Sequence, residues 1–310
     1  MTAPRPLCVG LSTCPNDTFL FHGLLTGAVD TRGLRLRLEL ADVQELNEAL
    51  AAGALDVGKA SFATALALAE RFGVLRVGSA LGFGVGPVLL ARPGLRGPPR
   101  LVLCPGDGTT ATLLLRCLHP EFFAQAGTGV RGGGPAQPAE GGSVVRQVRF
   151  DAIMPALARG EADAGVAIHE GRFTYAAHGL SLLEDLGASW ERLTGGPVPL
   201  GGLLARRDLA GDFGADVHAR LCAVLRDSLA LARARPAEAL VTMRRHAQEL
   251  DDGVLWQHVE LYVNAHTADL GEVGARALAE LARRAARTGH GAQRTGAAAA
   301  ADGAGLCLLD

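Results

Sequence analysis

The run AIHEGRFTY, residues 167–175, carries the side chains best suited to proton chemistry. Apolar residues lead into His169, and Glu170, Arg172 and Tyr175 follow it. An imidazole titrates near neutrality and is the commonest general base. At the C-terminal end of a strand facing a cleft, that role stands level with the plainer one of a histidine that only packs. A second run, PGDGTTATLLL (105–115), puts Gly106 and Gly108 in a turn and Thr109 and Thr110 at a helix start. Backbone N–H groups and threonine hydroxyls there suit a carboxylate or phosphate, although threonine is also an ordinary N-cap. The GK[ST] ending of a P-loop is missing. GKASFAT (58–64) holds Lys59, Ala60 and Ser61 at a similar strand edge, and Lys59 is the chain's only lysine. It offers a compact cation where the rest of the chain uses arginine.

CPNDTFLFH (14–22) follows the apolar run LCVGLS. Pro15 sets a bend, and Asn16, Asp17 and Thr18 reach the rim of the same predicted edge, partly as a helix cap. Cys14 reads as a packing residue, because CPND is echoed by CPGD at Cys104. His246, His258 and His266 fall in a helical region, and His258, Tyr262 and His266 share one helix face. With no HExxH pattern or neighbouring carboxylates, that face reads as a polar stripe and not as a metal site.

These residues need a scaffold. Short apolar runs alternate with helical patterns: strand LCVGLS, helix NDTFLFHGLLTG, strand LRLRLEL, helix VQELNEALAAG, strand ALDVG, helix SFATALALAERFG, strand VLRVGSAL. After the Pro/Gly/Arg stretch RPGLRGPPR the pattern restarts with LVLCPG, TTATLLLRCL, VVRQVRF, DAIMPALARG and ADAGVAIH, and from about Asp208 it becomes consecutive helices. Alternation of this kind predicts an α/β fold. ALAAGALDVGKA (49–60) and ALARGEADAGVA (156–167) share A-L-A-x-G-x-x-D-x-G-x-A. With the CPND/CPGD echo, this predicts a duplication whose second half carries an insertion, AQAGTGVRGGGPAQPAEGGS (about 124–143). Two related α/β halves imply a ligand cleft between them, reached by turns at strand C-termini. The expected division is residues 1–92 for one lobe, 93–200 for the second, 201–288 as a return to the first with C-terminal helices, and 289–310 as a structureless tail.

Composition narrows the function class. The 310 residues are 48% hydrophobic with a net charge of −2, so no global field favours nucleic acid or an anionic membrane. Aromatics at 5% argue against base-stacking platforms. No apolar stretch approaches the ~20 residues of a membrane span, and the start of the chain does not read as a signal peptide. Six scattered cysteines without CxxC pairs suggest neither zinc nor a disulfide framework. A reduced, cytoplasmic protein is expected.

Taken together, STCPNDTFLFHGL, GKASFAT, GFGVGPVL, PGDGTTATLLL, AIHEGRFTY and YVNAHTADLGEVG resemble the 1,4-dihydroxy-6-naphthoate synthase family of the futalosine route to menaquinone. The resemblance covers roughly residues 7–285. It implies a two-lobed type 2 periplasmic-binding-protein-like fold with a helical C-terminal region. It also implies a lyase that converts cyclic dehypoxanthinylfutalosine to 1,4-dihydroxy-6-naphthoate with loss of a dihydroxyacetone fragment, without metal or redox cofactor. By motif, His169 is the implied proton acceptor. Lys59, Ala60, Ser61, Thr109 and Thr110 are the implied substrate-binding residues for a small carboxylate, with Asn16 and Asp17 shaping the pocket. The family often has a larger apolar residue where Ala60 stands. A chorismate dehydratase-like enzyme of the same pathway and a non-catalytic solute-binding or sensor protein are the alternatives. The sequence sets no oligomeric state.

Overall fold

The computed structural model describes residues 5–123, 143–169, 171–247, 251–289 and 306–310. Most of the Gly/Pro-rich insertion, Glu170 and most of the predicted tail lie outside the described residues. The strands in chain order are β1 (Leu7–Ser12), β2 (Leu36–Ala41), β3 (Val57–Ser61), β4 (Phe72–Leu75), β5 (Ala80–Gly82), β6 (Val88–Ala91), β7 (Leu101–Cys104), β8 (Val144–Gln147), β9 (Ala164–Ala167), β10 (Ser181–Asp185), β11 (Val198–Arg206) and β12 (Leu308–Leu309). They form two sheets, ordered β12-β4-β11-β3-β1-β2, with β5 on β11, and β10-β6-β9-β7-β8.

The chain divides into two compact units. Unit 1 is Met1–Gly82, Pro199–Arg283 and Gly291–Asp310; unit 2 is Phe83–Val198 and Arg284–His290. The stretch RPGLRGPPR, expected as the boundary, instead joins β6 to β7 inside unit 2. The chain passes between units at Gly82–Phe83, where composition does not change.

Each sheet is built on the same plan. In unit 1, β1 pairs in parallel with β2 and β3, and β11 runs antiparallel to β3. In unit 2, β7 pairs in parallel with β8 and β9, and β6 runs antiparallel to β9. The repeated sequence motif falls at matching places, from the helix Val43–Ala52 into β3 and from the helix Phe150–Ala158 into β9.

The two repeated glycines and the repeated aspartate do the same work in both copies. Gly53 and Gly160 end their helices in the left-handed region, at φ of 74° and 73°, where a Cβ is costly. Gly58 and Gly165 let helix pack on strand: a Cβ would lie 3.2 Å from Leu50 in the first copy, and 2.6 Å from Ile153 and 3.3 Å from Leu157 in the second. Asp56 accepts from the backbone N–H of Cys8 at 2.9 Å and from Arg206 at 3.2 Å. Asp163 accepts from the N–H of Leu101 at 3.2 Å and from Arg92 at 3.0 Å. Burial alone would raise both carboxyls, but the guanidinium and N–H donors outweigh it, and both fall below the usual range. The duplication read from sequence is thus matched in topology and in side-chain chemistry.

The core of unit 1 joins β1 residues Leu7, Val9 and Leu11 to Phe19, Leu221, Leu225 and Met243 from helices and to Phe21 from the turn between two of them. Unit 2 packs both faces of its sheet, with Val88, Leu90 and Ile153 on one side and Val102, Leu115 and Val166 on the other. The last residues, expected in a structureless tail, add β12 in parallel to β4, with Leu308 opposite Val74. Gly73 permits this approach, since a Cβ there would lie 2.7 Å from Leu309. No helix among the described residues is long and apolar enough to cross a membrane.

One buried histidine of unit 1 gives stability a pH dependence. His22 is 1% exposed. Its Nδ1 pairs with Thr242 Oγ1 at 2.8 Å, and among the described residues its Nε2 has no hydrogen-bond partner. Burial, the largest influence, pushes this imidazole below its ordinary value. With the folded pKa depressed, the stabilisation is complete above the unfolded value of about 6.5 and is lost as pH falls below it. Melting followed by circular dichroism from pH 7.5 to 5 is expected to show a falling midpoint, with a shallower fall in His22→Phe.

Candidate functional site

In each unit the central parallel pair of strands ends in two adjacent turns. In unit 2, β7 leads into PGDGTT and β9 into Ile168 and His169, and these strands are hydrogen-bonded neighbours with Leu103 opposite Gly165. In unit 1, β1 leads into CPND, and β3 ends at Lys59, Ala60 and Ser61, with Gly10 opposite Gly58. C-terminal strand ends of this kind are where α/β sheets bind ligands.

His169 has φ of 54°, and among the described residues only Arg32 shares that region outside glycine. A left-handed histidine is uncommon, and such backbone concentrates at functional sites. Its half-buried ring meets Phe150 edge-on, with centroids 5.0 Å apart. Two residues on, Gly171 opens a short helix where a Cβ would lie 3.1 Å from Ala167. Arg172 then anchors the turn: its guanidinium donates to Asp185 at 2.6 Å and to Gly86 O at 3.2 Å. Asp185 also caps the helix Leu186–Thr194 through Ala188 N at 3.0 Å. Burial would raise the Asp185 carboxyl, but Arg172 and the helix N–H groups hold it below the usual range. Arg172 is therefore no loose surface charge: it ties the short helix Gly171–Thr174, which follows His169 in the chain, to Asp185 and Gly86. Arg172→Met is expected to leave Asp185 without its guanidinium partner and to destabilise the protein by about 1 kcal/mol, read from a melting curve beside wild type.

Thr109 and Thr110 open the helix Thr110–Leu118, and both are buried. Thr109 is its N-cap, accepting from Thr112 N at 3.2 Å and donating to Gly106 O at 2.7 Å. Its hydroxyl thus shapes the turn, at the positive end of the helix. Cys104, just before the turn, is fully buried, and burial pushes its thiol up to about 12, so it packs as an unreactive thiol.

In unit 1 the predicted residues come together, but not as independent ligands. Lys59 Nζ donates to Asp17 Oδ1 at 2.7 Å and to Gly78 O at 3.2 Å, with the ion pair almost wholly out of solvent. Asp17 also accepts from Ser12 Oγ at 2.5 Å and from Asn16 Nδ2 at 2.9 Å. The lone lysine therefore holds the CPND turn to β3, and its charge is matched inside the fold. Cys14 is the N-cap of the helix Pro15–Leu20 without a side-chain cap bond, and Pro15 takes the first helical position.

Ser61 precedes the helix Phe62–Ala67 but does not cap it with its side chain. Asn47 takes up Ser61 instead: Ser61 N donates to Asn47 Oδ1 at 3.1 Å, and Asn47 Nδ2 lies 3.5 Å from Ser61 Oγ. Strand alternation puts Ala60 on the opposite face from Lys59 and Ser61, where it is 1% exposed.

Sequence reasoning missed Ser12, Asn47 and His258. His258 Nε2 meets Asn16 Oδ1 at 3.0 Å, so His258 is a buried partner of that turn; His266, expected on the same helix face, sits instead on a separate short helix, Ala265–Ala268. Among the described residues no group of three His, Cys, Asp or Glu side chains could hold a metal ion. The motif YVNAHT braces the same region: Asn264 Nδ2 donates to Leu81 O at 2.8 Å, and Gly78 N, beside the carbonyl that takes Lys59, donates to Thr267 O at 2.8 Å.

A sequence family described as menaquinone biosynthesis matches residues 7–133 and 136–287. The 1,4-dihydroxy-6-naphthoate synthase of Thermus thermophilus is 45% identical over 276 residues, covering 89% of this chain and 92% of that protein. The chain belongs to the menaquinone-biosynthesis family. A second relative, the 1,4-dihydroxy-6-naphthoate synthase of Streptomyces coelicolor, is 41% identical over 286 residues, covering 91% of this chain and 94% of that one.

Family membership is joined by likeness of fold. A solved protein from Archaeoglobus fulgidus superposes with a TM-score of 0.79 at 28% identity, covering 92% of this chain and 98% of that one. The alkanesulfonate-binding protein of Xanthomonas axonopodis pv. citri, solved with MOPS, gives a TM-score of 0.62 at 16% identity, covering 99% of this chain and 97% of that one. A Candida albicans protein with the generic periplasmic-binding-protein fold gives 0.63 at 12%, covering 97% and 94%. At such identities these last two speak for the fold alone. The family member here has the α/β, periplasmic-binding-protein-like fold.

Proposed function

We propose that the protein is a carbon–carbon lyase that converts cyclic dehypoxanthinylfutalosine to 1,4-dihydroxy-6-naphthoate and dihydroxyacetone, with His169 as the proton acceptor. The observation that carries this reading is the left-handed His169 at the end of β9, on a strand adjacent to the one that feeds the Thr109–Thr110 helix start. The two relatives named above, both 1,4-dihydroxy-6-naphthoate synthases, support the naphthoate product.

In this reading the positive helix start at Thr110 holds the substrate's aromatic carboxylate. His169 removes a proton from the sugar-derived part. The electron pair left behind breaks the carbon–carbon bond, and the ring system takes up the released pair as it becomes aromatic. No net oxidation occurs. Asn16, Lys59 and Ser61 donate to substrate oxygens, Asp17 holds two of them in place, and Ala60 contributes backbone. The same reading places the protein in the cytoplasm.

Purified protein incubated separately with cyclic dehypoxanthinylfutalosine and with chorismate, followed by mass spectrometry, tests it. The naphthoate mass in the first incubation supports the lyase. Loss of water from chorismate, or tight binding without turnover, overturns it in favour of a dehydratase or a binding protein.

A further inference from the structure

The polar groups of unit 1 form one continuous chain from the end of β1 to the helix Asp252–Tyr262, and donor–acceptor logic orients every link. The ionised carboxylate of Asp17 offers acceptors only. It takes Ser12 Oγ on Oδ2, and Asn16 Nδ2 and Lys59 Nζ on Oδ1. An acceptor-only partner fixes the Asn16 amide: the nitrogen side turns to Asp17 and Oδ1 turns away. At Oδ1, 3.0 Å distant, stands His258 Nε2. A carbonyl oxygen accepts, so His258 carries a proton on Nε2. This ring is 4% exposed and lies 4.6 Å from the Tyr262 ring, one turn along the same helix. Asn16 itself is 9% exposed, so an Oδ1 without a donor there would be a buried acceptor left unpaired.

Among the described residues, the chain also leaves donors over. Asp17 takes one of the two Asn16 N–H hydrogens, and Asp17 with Gly78 O takes two of the three on Lys59. Asn16 and Lys59 share the same Asp17 oxygen, which keeps their remaining hydrogens close together. A pair of donors at adjacent strand ends suits an oxygen-rich ligand group, a hydroxyl or a carbonyl.

We propose that His258 is a positioning residue that donates its Nε2–H to Asn16 Oδ1 and so holds the Asn16 amide with its second N–H directed at a substrate oxygen. What that N–H serves rests on the lyase reading; the bonding does not. His258 touches no reacting atom. Its removal frees the Asn16 amide to rotate and weakens binding of substrate and transition state alike, which raises KM more than it lowers kcat.

Two measurements on the full chain test this. The first is steady-state kinetics with cyclic dehypoxanthinylfutalosine. His258→Leu is expected to raise KM about tenfold with kcat within about threefold of wild type. His258→Gln, whose side-chain N–H can stand where Nε2–H stood, is expected to restore KM to within about threefold. Equal loss in both variants, or a loss confined to kcat, would overturn the proposal. The second is long-range proton–nitrogen NMR on histidine-labelled protein, with the His258 signals assigned by their absence in His258→Gln. Wild type is expected to show an Nε2-protonated ring whose signal moves in Asn16→Leu. An Nδ1-only tautomer, or no response to Asn16→Leu, overturns the proposal whatever the activity. If wild type does not turn over the substrate, the lyase reading falls alone, and the NMR result decides the role of His258.

Discussion

His169→Asn is expected to lower kcat by about 10²- to 10⁴-fold with the fold intact, the usual span for loss of a general base. Asparagine is the informative replacement because it tolerates the left-handed backbone that His169 occupies at φ 54°. Alanine would combine loss of the base with backbone strain and blur the two. The asparagine side chain can still hydrogen-bond, but it cannot accept a proton near neutral pH. The melting curve should stay near that of wild type while turnover collapses. Turnover within a few-fold of wild type would remove His169 from the chemistry.

The second large effect concerns stability. Lys59→Met is expected to destabilise the protein by about 3–5 kcal/mol, the usual cost of breaking a buried ion pair from one side. Asp17 would then be left as a carboxylate at 1% exposure with, among the described residues, Ser12 and Asn16 as its side-chain donors. At this domain size the midpoint should fall on the order of 10 °C. The double replacement Lys59→Met with Asp17→Asn is expected to recover part of the loss, because no unpaired charge remains. Differential scanning calorimetry of both variants beside wild type measures the recovery. A double variant no more stable than Lys59→Met would show that the two side chains do not act as a pair.

Much of this was legible in the sequence because it is local. The helix-to-strand repeat at 49–60 and 156–167 repeats its Gly and Asp residues for backbone reasons, and those reasons recur in each sheet. The turns after β1, β3, β7 and β9 could be picked out because strands and helices alternate there. The partners that give these turns their geometry are distant in sequence. His258 and Asn16 are 242 positions apart, and no periodicity links them. Asn47 and Ser61 sit on consecutive elements, yet Asn47 looks like any polar residue of an amphipathic helix. Lys59 stood out by rarity, but only packing shows that Asp17 matches its charge. The unit boundary was misplaced because Pro and Gly mark turns inside a unit as readily as linkers between units.

The most direct test of the central claim is the stoichiometry of the reaction. Purified protein given cyclic dehypoxanthinylfutalosine should release 1,4-dihydroxy-6-naphthoate and dihydroxyacetone in a one-to-one ratio, tracking substrate loss, with both products failing together in His169→Asn. Naphthoate formed without the three-carbon product, or formed undiminished by His169→Asn, would contradict the account.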